Sequence, residues 1–412
     1  MFFDFMNFQI EKYIKLKMSN YFLVFFVFFC ASGQKISERK IKKWINQISV
    51  FDKSYVGIRV EGISKIYADY NGSKYMTPAS NTKLFTFLAA VQTFDSLPTL
   101  EYKIENDSVV SFRSTGYPLL LHPFYSDSTL LNFLSKKKTW KYSKPKNKVK
   151  PYGPGWAWDD YNFYYAAEKS AFPIYGNTVK YIINSNLVPK FLLELDSSVN
   201  NLQRSKTENK FYYNPKTLKG TDTIYRPFIT SDSLFVKLLS AATGNNVIYT
   251  NKNDSLEWSV LYTNNEKKLY RALLQDSDNG IAESLLLMIS NRLSGGFSTE
   301  KAIEILKNKW GDIFSDELIW YDGSGISRYN MFTPRTIIQV LNLIRKEIKW
   351  PKIQQLFPES GESGTLLDYP NLRNIYAKTG TLRNNHNLSG FFKTSKGEIL
   401  MFSIMVNHFN SS

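Results

Sequence analysis

Three short stretches of the 412-residue chain hold the residue types that could make a serine hydroxyl attack a carbonyl carbon: Ser80-Asn81-Thr82-Lys83, Ser277-Asp278-Asn279 and Lys378-Thr379-Gly380. A serine is a poor nucleophile until a neighbouring base takes its proton. Lys83 sits three positions after Ser80, a spacing that puts both side chains on one helix face, and burial beside Lys378 would lower the amine toward a working pKa. Ser277 can relay a proton between Lys83 and a leaving amine, while Asn279 can hold an amide through its own carboxamide. A helix N-terminus beneath Ser80 would turn backbone N–H groups toward the developing oxyanion. A strand carrying Lys378 to Thr381 could add a second N–H, at Thr381, with Gly380 allowing close backbone approach. Each stretch also has a purely structural reading: a surface serine with a solvated lysine, a helix cap ahead of Ile281, and an ordinary edge strand.

Context separates these copies from accidental ones. S-x-x-K recurs at Ser37 to Lys40, Ser135 to Lys138, Ser143 to Lys146 and Ser298 to Lys301, and S-x-N at Ser198 to Asn200. Only the Ser80 copy opens an apolar helix behind a proline, Pro78. Only the Ser277 copy precedes a buried helix, and Lys378-Thr379-Gly380 lies on a predicted strand. Their order is that of the S-x-x-K, S-D-N and K-T-G set. Other chemistries are poorly supplied: His122, His386 and His408 are far apart, and no metal-binding spacing occurs, so no metal or cofactor is expected. Gly361-Glu362-Ser363-Gly364-Thr365 misses the nucleophile elbow because its last position is threonine. His386, among asparagines, reads as a turn residue. Glu283 receives no chemical role.

The elements that must position these residues form an α+β pattern. Ile41, Trp44, Ile45 and Ile48 give Glu38 to Ile48 a helical stripe, and Tyr55 to Val60 with Lys65 to Tyr70 read as a hairpin. Ser80 to Phe94 is apolar almost all round, as for a central helix with Ser80 and Lys83 in its first turn. Helical periodicity returns at Ser231 to Ala242, Leu269 to Leu274, Ile281 to Leu293 and Pro334 to Ile348. Asn374 to Thr381, Leu388 to Phe392 and Ile399 to Val406 read as consecutive antiparallel strands. From Glu101 to Arg226 the texture becomes scattered turns and short apolar runs, an inserted region. Its lysine-rich stretch from Ser135 to Tyr152 reads as a solvated flexible loop, with contact to an anionic wall polymer as the alternative.

The net charge of +16 favours anionic partners. Nucleic acid is disfavoured, because no basic recognition helix, zinc-finger spacing or aromatic ribonucleoprotein signature is present. Lys12, Lys15 and Lys17, the apolar run Tyr21 to Cys30 and the small residues Ala31 to Gly33 form a secretory signal, too short to span a bilayer. Cleavage near Gly33 is preferred over lipidation at Cys30, the one cysteine; the mature chain then has no thiol chemistry. The expected location is the periplasm or cell envelope, with membrane contact limited to the signal segment or a lipidated Cys30.

Pro78 to Lys83, Gly155-Trp156-Ala157-Trp158-Asp159-Asp160, Asp322-Gly323-Ser324-Gly325-Ile326-Ser327-Arg328 and Lys378 to Leu382 with Ser389-Gly390 resemble signature segments of one family. It is the D-Ala-D-Ala carboxypeptidase/endopeptidase family of low-molecular-mass penicillin-binding proteins that carry a large insert. The resemblance implies a penicillin-recognising, β-lactamase-like transpeptidase fold: a five-stranded antiparallel sheet flanked by helices, with an inserted subdomain. The expected organisation is a signal peptide at 1–33, a discontinuous catalytic domain at 34–100 and 227–412, and an insert at 101–226, which fits the place between the first two motifs where the resemblance implies an extra region. The penultimate D-alanine of a peptidoglycan stem peptide would acylate Ser80, the terminal D-alanine would leave, and water would release the product. Lys378, Thr379 and Thr381 would grip the terminal carboxylate, and β-lactam antibiotics would be covalent inhibitors. The insert is shorter than in the larger relatives. The chain stops at Ser412, where relatives continue into a helix, so the sheet face near Glu38 to Ile48 is expected to be less covered. Two alternatives keep the same fold: a serine β-lactamase, for which no deacylating base is identified, and a wall-binding scaffold with poor turnover.

Overall fold

Strands from the two ends of the chain meet in one antiparallel sheet of a computed structural model. The structure describes residues 35–125, 127–182, 193–199, 202–214, 216, 223–251, 257–369 and 374–410. The signal segment, with Lys12, Lys15, Lys17 and Cys30, lies outside the described residues. In chain order the principal elements begin with α1 (Glu38–Gln47), β1 (Tyr55–Glu61), β2 (Ile66–Tyr70), a 3-10 turn (Ala79–Thr82), α2 (Lys83–Thr93), β3 (Leu97–Asn106), β4 (Val109–Ser114), α3 (Ser128–Leu134) and β5 (Thr139–Ser143). Next come β6 (Thr178–Ile182), β7 (Leu193–Leu195), β8 (Gln203–Arg204), β9 (Phe211–Tyr213), β10 (Thr223–Pro227), α4 (Asp232–Thr243), β11 (Val247–Thr250) and β12 (Ser259–Thr263). The chain continues through α5 (Glu266–Leu274), α6 (Asn279–Ser294), α7 (Thr299–Trp310), α8 (Pro334–Glu347), α9 (Trp350–Leu356), β13 (Ile375–Leu382), β14 (Asn385–Lys393) and β15 (Ile399–Asn407). They group into two compact units interleaved along the chain: one takes the chain up to Gln92, Tyr270–Ser277 and Ile303 onward, the other Thr93–Leu269 and Asp278–Ala302.

In the first unit the sheet order is β13-β14-β15-β1-β2, antiparallel throughout. The inner strands β14 and β15 are buried along almost their whole length; β15 reads as a nearly continuous apolar run, whereas β14 also buries His386, Asn387 and Ser389. Helix α8 packs on β15, β1 and β14. It starts where it does because Thr333 accepts a capping hydrogen bond from the Thr336 amide, 3.1 Å, and Pro334 occupies the first turn. Gly57 on β1 is required for this approach: a β-carbon there would lie 2.7 Å from the Met76 methyl and 2.8 Å from Pro334. Helix α1 is capped by Ser37 and buries Ile41 and Ile45 in the sheet's apolar cluster with Val56, Ile58, Phe402 and Ile404. Each such side chain contributes about 1.5–3 kcal/mol on burial.

Helix α2 is enclosed by aromatic rings. Phe85 stacks on Phe332 at 4.3 Å and meets Trp310, Phe314 and Trp320, while Phe87 packs edge-on against Tyr270 and Phe357. Its start differs from the sequence expectation. Ser80 lies in a 3-10 turn and the α-helix begins only at Lys83, because Ala79 takes a left-handed φ of 49° and the Asn81 amide donates to the Pro78 carbonyl. In a 3-10 turn, side chains at i and i+3 eclipse, so Ser80 and Lys83 are aligned more directly than on an α-helix.

The second unit is more regular than its sequence texture. Its sheet runs β11-β5-β4-β3-β12, with β5 parallel to both neighbours and the β4-β3-β12 pairs antiparallel; a β10-β6 pair and a small β7-β9-β8 sheet complete it. The outer strands β11 and β12 lie far along the chain from β3 to β5, so residues 227–269 pack with 93–226. The stretch expected as a flexible loop contains β5, in which Trp140 and Tyr142 are buried while Lys141 reaches Glu105 at 2.6 Å. The core beside this sheet is aromatic: Phe112, Tyr142, Phe172 and Phe235 are in mutual ring contact.

Candidate active site

Within the first unit, Lys83 donates from Nζ to Ser80 Oγ at 2.9 Å and to the Ser324 carbonyl at 2.7 Å. Lys83 is fully buried and Ser80 half-buried, so the hydroxyl opens outward while the amine is enclosed. Loss of hydration disfavours an ammonium, the condition under which a lysine can act as a base. The amine is located by backbone on its far side: Thr86 donates to the Gly323 carbonyl at 2.7 Å, tying α2 to the loop that supplies the Ser324 carbonyl. Asp322 shapes that loop. Its carboxylate accepts from the Gly325 and Ser327 amides and from Asn330 Nδ2, at 2.9, 2.6 and 2.7 Å. Gly325, with φ 85°, presses so closely on the Ser80 turn that a β-carbon would fall 1.9 Å from the Ala79 carbonyl oxygen.

Strand β13 closes the other side. A β-carbon on Gly380 would lie 2.4 Å from the Pro78 carbonyl oxygen and 3.1 Å from the Ser80 amide nitrogen. Asn387, opposite Gly380 on β14, donates to the Thr77 and Pro78 carbonyls at 3.0 and 2.9 Å, so the sheet grips the turn by backbone. β13 is the sheet edge, and the Ala377 amide donates outward to the Pro358 carbonyl at 3.0 Å. Amides alternate sides along a strand, so those of Thr379 and Thr381 face the same outer edge. Lys378 is fully buried and donates to the Thr379 carbonyl, 2.8 Å.

The Ser277 segment joins this arrangement through the backbone. Thr379 Oγ1 donates to Thr365 Oγ1 at 2.8 Å, and the Thr365 amide donates to the Gln275 carbonyl at 3.0 Å, two residues before Ser277. Gln275 in turn donates from Nε2 to the Phe357 carbonyl, 3.3 Å. Ser277 itself has a left-handed φ of 59°, an uncommon conformation for serine that sets it off from the helices on either side. Asn279 opens α6 in the second unit. Its Nδ2 donates to the Tyr165 carbonyl at 2.9 Å, and the preceding Asp278 caps the helix by accepting from the Ile281 amide at 2.9 Å. The capping expected of this triplet therefore belongs to Asp278.

Two features of the site were not assigned from the sequence. The loop Asp322 to Ser327 supplies Lys83 with an acceptor; in the sequence this stretch stands out only as a segment of the family resemblance, and the acceptor is a main-chain carbonyl that no residue type signals. His386 is not a turn residue. It is buried on β14, with Nδ1 2.8 Å from Thr381 Oγ1 and Nε2 2.8 Å from the Tyr369 hydroxyl, whose pKa is pushed upward by burial and the nearby Asp368 charge. The signal that could have found it is strand alternation, which places residue 386 across from Thr381.

A sequence model of the D-Ala-D-Ala carboxypeptidase 3 (S13) family matches residues 38–132 and 259–412. The chain belongs to this family. It is a serine-type D-Ala-D-Ala carboxypeptidase, and the expected family and α+β penicillin-recognising fold both hold. The D-alanyl-D-alanine carboxypeptidase DacB of Haemophilus influenzae is 26% identical over 422 aligned residues, covering 87% of this chain and 86% of DacB. Penicillin binding protein 4 (dacB) of the same organism superposes with a TM-score of 0.71 at 22% identity, covering 89% of this chain and 94% of that one. Bd3459, a predatory peptidoglycan endopeptidase of Bdellovibrio bacteriovorus, shares the fold at a TM-score of 0.50 and 16% identity, covering 86% and 87%. The S13 match includes every residue of the three motifs. It omits 133–258, which holds β5 to β11 and the whole of the lysine-rich stretch.

Proposed function

We propose that this S13 carboxypeptidase acts through Ser80 as nucleophile with Lys83 as its base, and the 2.9 Å contact between Lys83 Nζ and Ser80 Oγ carries the reading. In the acylation step Ser80 Oγ bonds to the carbonyl carbon of the penultimate D-alanine as its proton passes to the Lys83 amine. The amides of Ser80 and Thr381 receive the oxyanion, which the outward edge of β13 favours. The tetrahedral intermediate collapses by breaking the peptide C–N bond, and Ser277 relays the proton from Lys83 to the departing D-alanine amine. Water, activated by the same amine, then cleaves the ester and restores the serine hydroxyl.

Lys378, Thr379 and Thr381 hold the terminal carboxylate, Gly380 leaves room for the substrate backbone, and Asn279 holds the acyl-side amide. Thr381 is suited to this by its neighbours. In the tautomer with the proton on Nδ1, His386 accepts from the Tyr369 hydroxyl at Nε2 and donates to Thr381 Oγ1, which leaves the threonine proton for a ligand. A strained lactam carbonyl offers the same electrophile, and a β-lactam is bound in a solved structure of the H. influenzae penicillin binding protein 4. β-Lactams are therefore expected to acylate Ser80. Cleavage of D-alanyl crosslinks is a second activity of the same centre, supported by the fold shared with the Bdellovibrio endopeptidase. The leader before residue 34 supports export to the periplasm or cell envelope, with 101–226 as an insert in the catalytic body.

The test compares wild type with Ser80→Ala, using a fluorescent penicillin and a pentapeptide ending in D-Ala-D-Ala. Wild type releases D-alanine and is labelled slowly reversibly; the variant does neither. Labelling that persists in Ser80→Ala overturns the nucleophile, and rapid antibiotic turnover without peptide cleavage assigns the protein to the lactamases instead.

A further inference from the structure

The second unit contains a cavity of about 200 Å³ that shares no residue with the three motifs. Its apolar side is Leu287 and Phe297, both buried, with Val149 packed on them. Its charged lining is Lys148, Lys150, Lys169 and Glu300, three cations against one anion. These lysines are not on a slack loop. The Lys144 amide donates to the Thr250 carbonyl at 3.0 Å, and the Pro151 carbonyl accepts from the Lys169 amide at 2.8 Å. Between them, the Asn147 carboxamide clasps the backbone of Phe297, accepting from its amide at 2.8 Å and donating to its carbonyl at 2.7 Å.

The four charged groups have different tasks. Lys169 is held in the wall: its side chain is 3% exposed, and Nζ donates to Thr299 Oγ1 at 3.1 Å and lies 4.0 Å from Glu283. Lys150 pairs with Glu300 at 2.8 Å while remaining 75% exposed. Burial alone would raise the Glu300 carboxyl, but hydrogen bonds from Lys150, its own backbone and Ser298 bring it to about 2, so it stays an anion and spends one of the three positive charges. Lys148 is exposed at the mouth, and among the described residues its amine has no acidic partner. Exposed Lys144 and Lys146 follow the same anchored path and extend the positive field beyond the mouth.

We infer that this cavity is an anchoring site for a carboxylate-bearing, amino-acid-sized group of the peptidoglycan polymer, seated with its apolar part on Leu287 and Phe297 and its carboxylate toward Lys148 and Lys169. Peptidoglycan repeats carboxylates along its stem peptides, so a second weak contact raises the local concentration of substrate without adding to the affinity of the reactive cleft. The inference rests on the enzyme's action on peptidoglycan and not on the roles given to Ser80 or Lys83.

The test measures binding without turnover. Full-length protein carrying Ser80→Ala is pelleted with purified sacculi that have been stripped of phosphodiester-linked polymers, and again with the same sacculi after their carboxyl groups are amidated. The expected result is binding that weakens with salt, weakens about tenfold with Lys148→Glu, and is lost on the amidated wall. Lys150→Glu should also weaken binding, and Lys150→Glu/Glu300→Lys should restore it, since the exchange returns the lining to the same net charge. Melting temperatures of all variants confirm that folding is unaffected. Undiminished binding by Lys148→Glu, or equal binding to amidated sacculi, overturns the site. Binding that disappears when the phosphodiester polymers are stripped overturns the carboxylate assignment. A fault in the Ser80 reading would leave all of these measurements unchanged.

Discussion

Gly380→Ala tests how the nucleophile is held. The added methyl would meet the Pro78 carbonyl oxygen at 2.4 Å, the Asn81 nitrogen at 3.0 Å and the Ser80 nitrogen at 3.1 Å, where ordinary contact begins at 3.4 Å. Relief therefore needs a separation of about 1 Å at the tightest point. All three atoms are main chain, so no side chain can swing aside. The 3-10 turn has little freedom to give, since Asn387 and Asn407 hold Thr77 and Pro78 from the sheet, and Gly325 presses on Ala79 from the other side. What moves is β13, and with it the Thr381 amide that is to meet the oxyanion. A displacement of that size costs on the order of 10²-fold in rate, while overpacking costs about 1–3 kcal/mol of stability. The assay is D-alanine release from the pentapeptide and the acylation rate with penicillin, read beside thermal unfolding. Gly57→Ala in the same sheet is the comparison. Its methyl meets the flexible end of Met76 and the Pro334 ring, so it should lower the melting temperature while keeping kcat/KM near wild type. A Gly380→Ala enzyme within about threefold of wild-type kcat/KM would show that the strand is not pressed on the turn as described.

Three further outcomes follow from contacts in the first unit. Asn387→Ala removes the hydrogen bonds to the Thr77 and Pro78 carbonyls, which still accept from Asn407 Nδ2 at 3.3 Å and from the Asn81 amide at 3.2 Å, so it should cost about 0.5–1.5 kcal/mol per lost bond in urea unfolding, with a larger loss of acylation rate than Gly57→Ala. Tyr369→Phe takes away the hydroxyl that meets His386 Nε2, so Thr381 should lose its fixed orientation; the expected signature is a raised KM for the pentapeptide with a smaller change in kcat, and equal loss of both would contradict it. Asp316 is held below the usual carboxylate range, first by the hydrogen bond from Arg335 and against the opposing effect of burial, with Thr333 assisting. Its stabilisation is thus present above about pH 4 and is lost as pH falls through the depressed value. Asp316→Asn should be less stable than wild type at pH 7 by urea unfolding, and the gap should close below pH 4.

The parts of the fold that were legible in the sequence are those whose signal is local. Ile41 and Ile45 on α1, the Thr333-Pro334 start of α8 and the apolar run of β15 each carry a cap or a period within one window, and each element formed where it was expected. The second unit was obscured because its signal is divided. β4 and β5 are short, and β5 reads Trp-Lys-Tyr inside a stretch so rich in lysine that its two-residue alternation is outweighed by charge. Its partner β11 begins at Val247, more than a hundred residues beyond the Trp140 with which it pairs. A parallel pair at that separation leaves no turn to read. Most of these lysines are exposed, as composition implied, but β5 and the Asn147 clasp tie the backbone of the stretch to its neighbours.

The site was legible to the extent that it is made of side chains. Serine, lysine, threonine and glycine at set spacings identified the turn and the strand that faces it. The remainder is main chain, and residue type is silent about which carbonyl faces which amine. Lys83 is steered by the Ser324 carbonyl, the nucleophile turn is gripped through the carbonyls of Thr77 and Pro78, and Ser277 is reached from Thr379 through the Thr365 amide and the Gln275 carbonyl. This division has a physical reason. For Lys83 to serve as the proposed base, its amine needs acceptors that carry no net charge, because a carboxylate at the same place would favour the ammonium. Carbonyl oxygens meet that need. The acid closest in sequence to the Ser324 carbonyl, Asp322, accepts from the amides of Gly325 and Ser327 and from the Asn330 side chain. Placing a carboxylate beside Lys83, as Ser324→Asp would attempt, should therefore impair acylation more than Ser324→Ala, which leaves the backbone carbonyl in place.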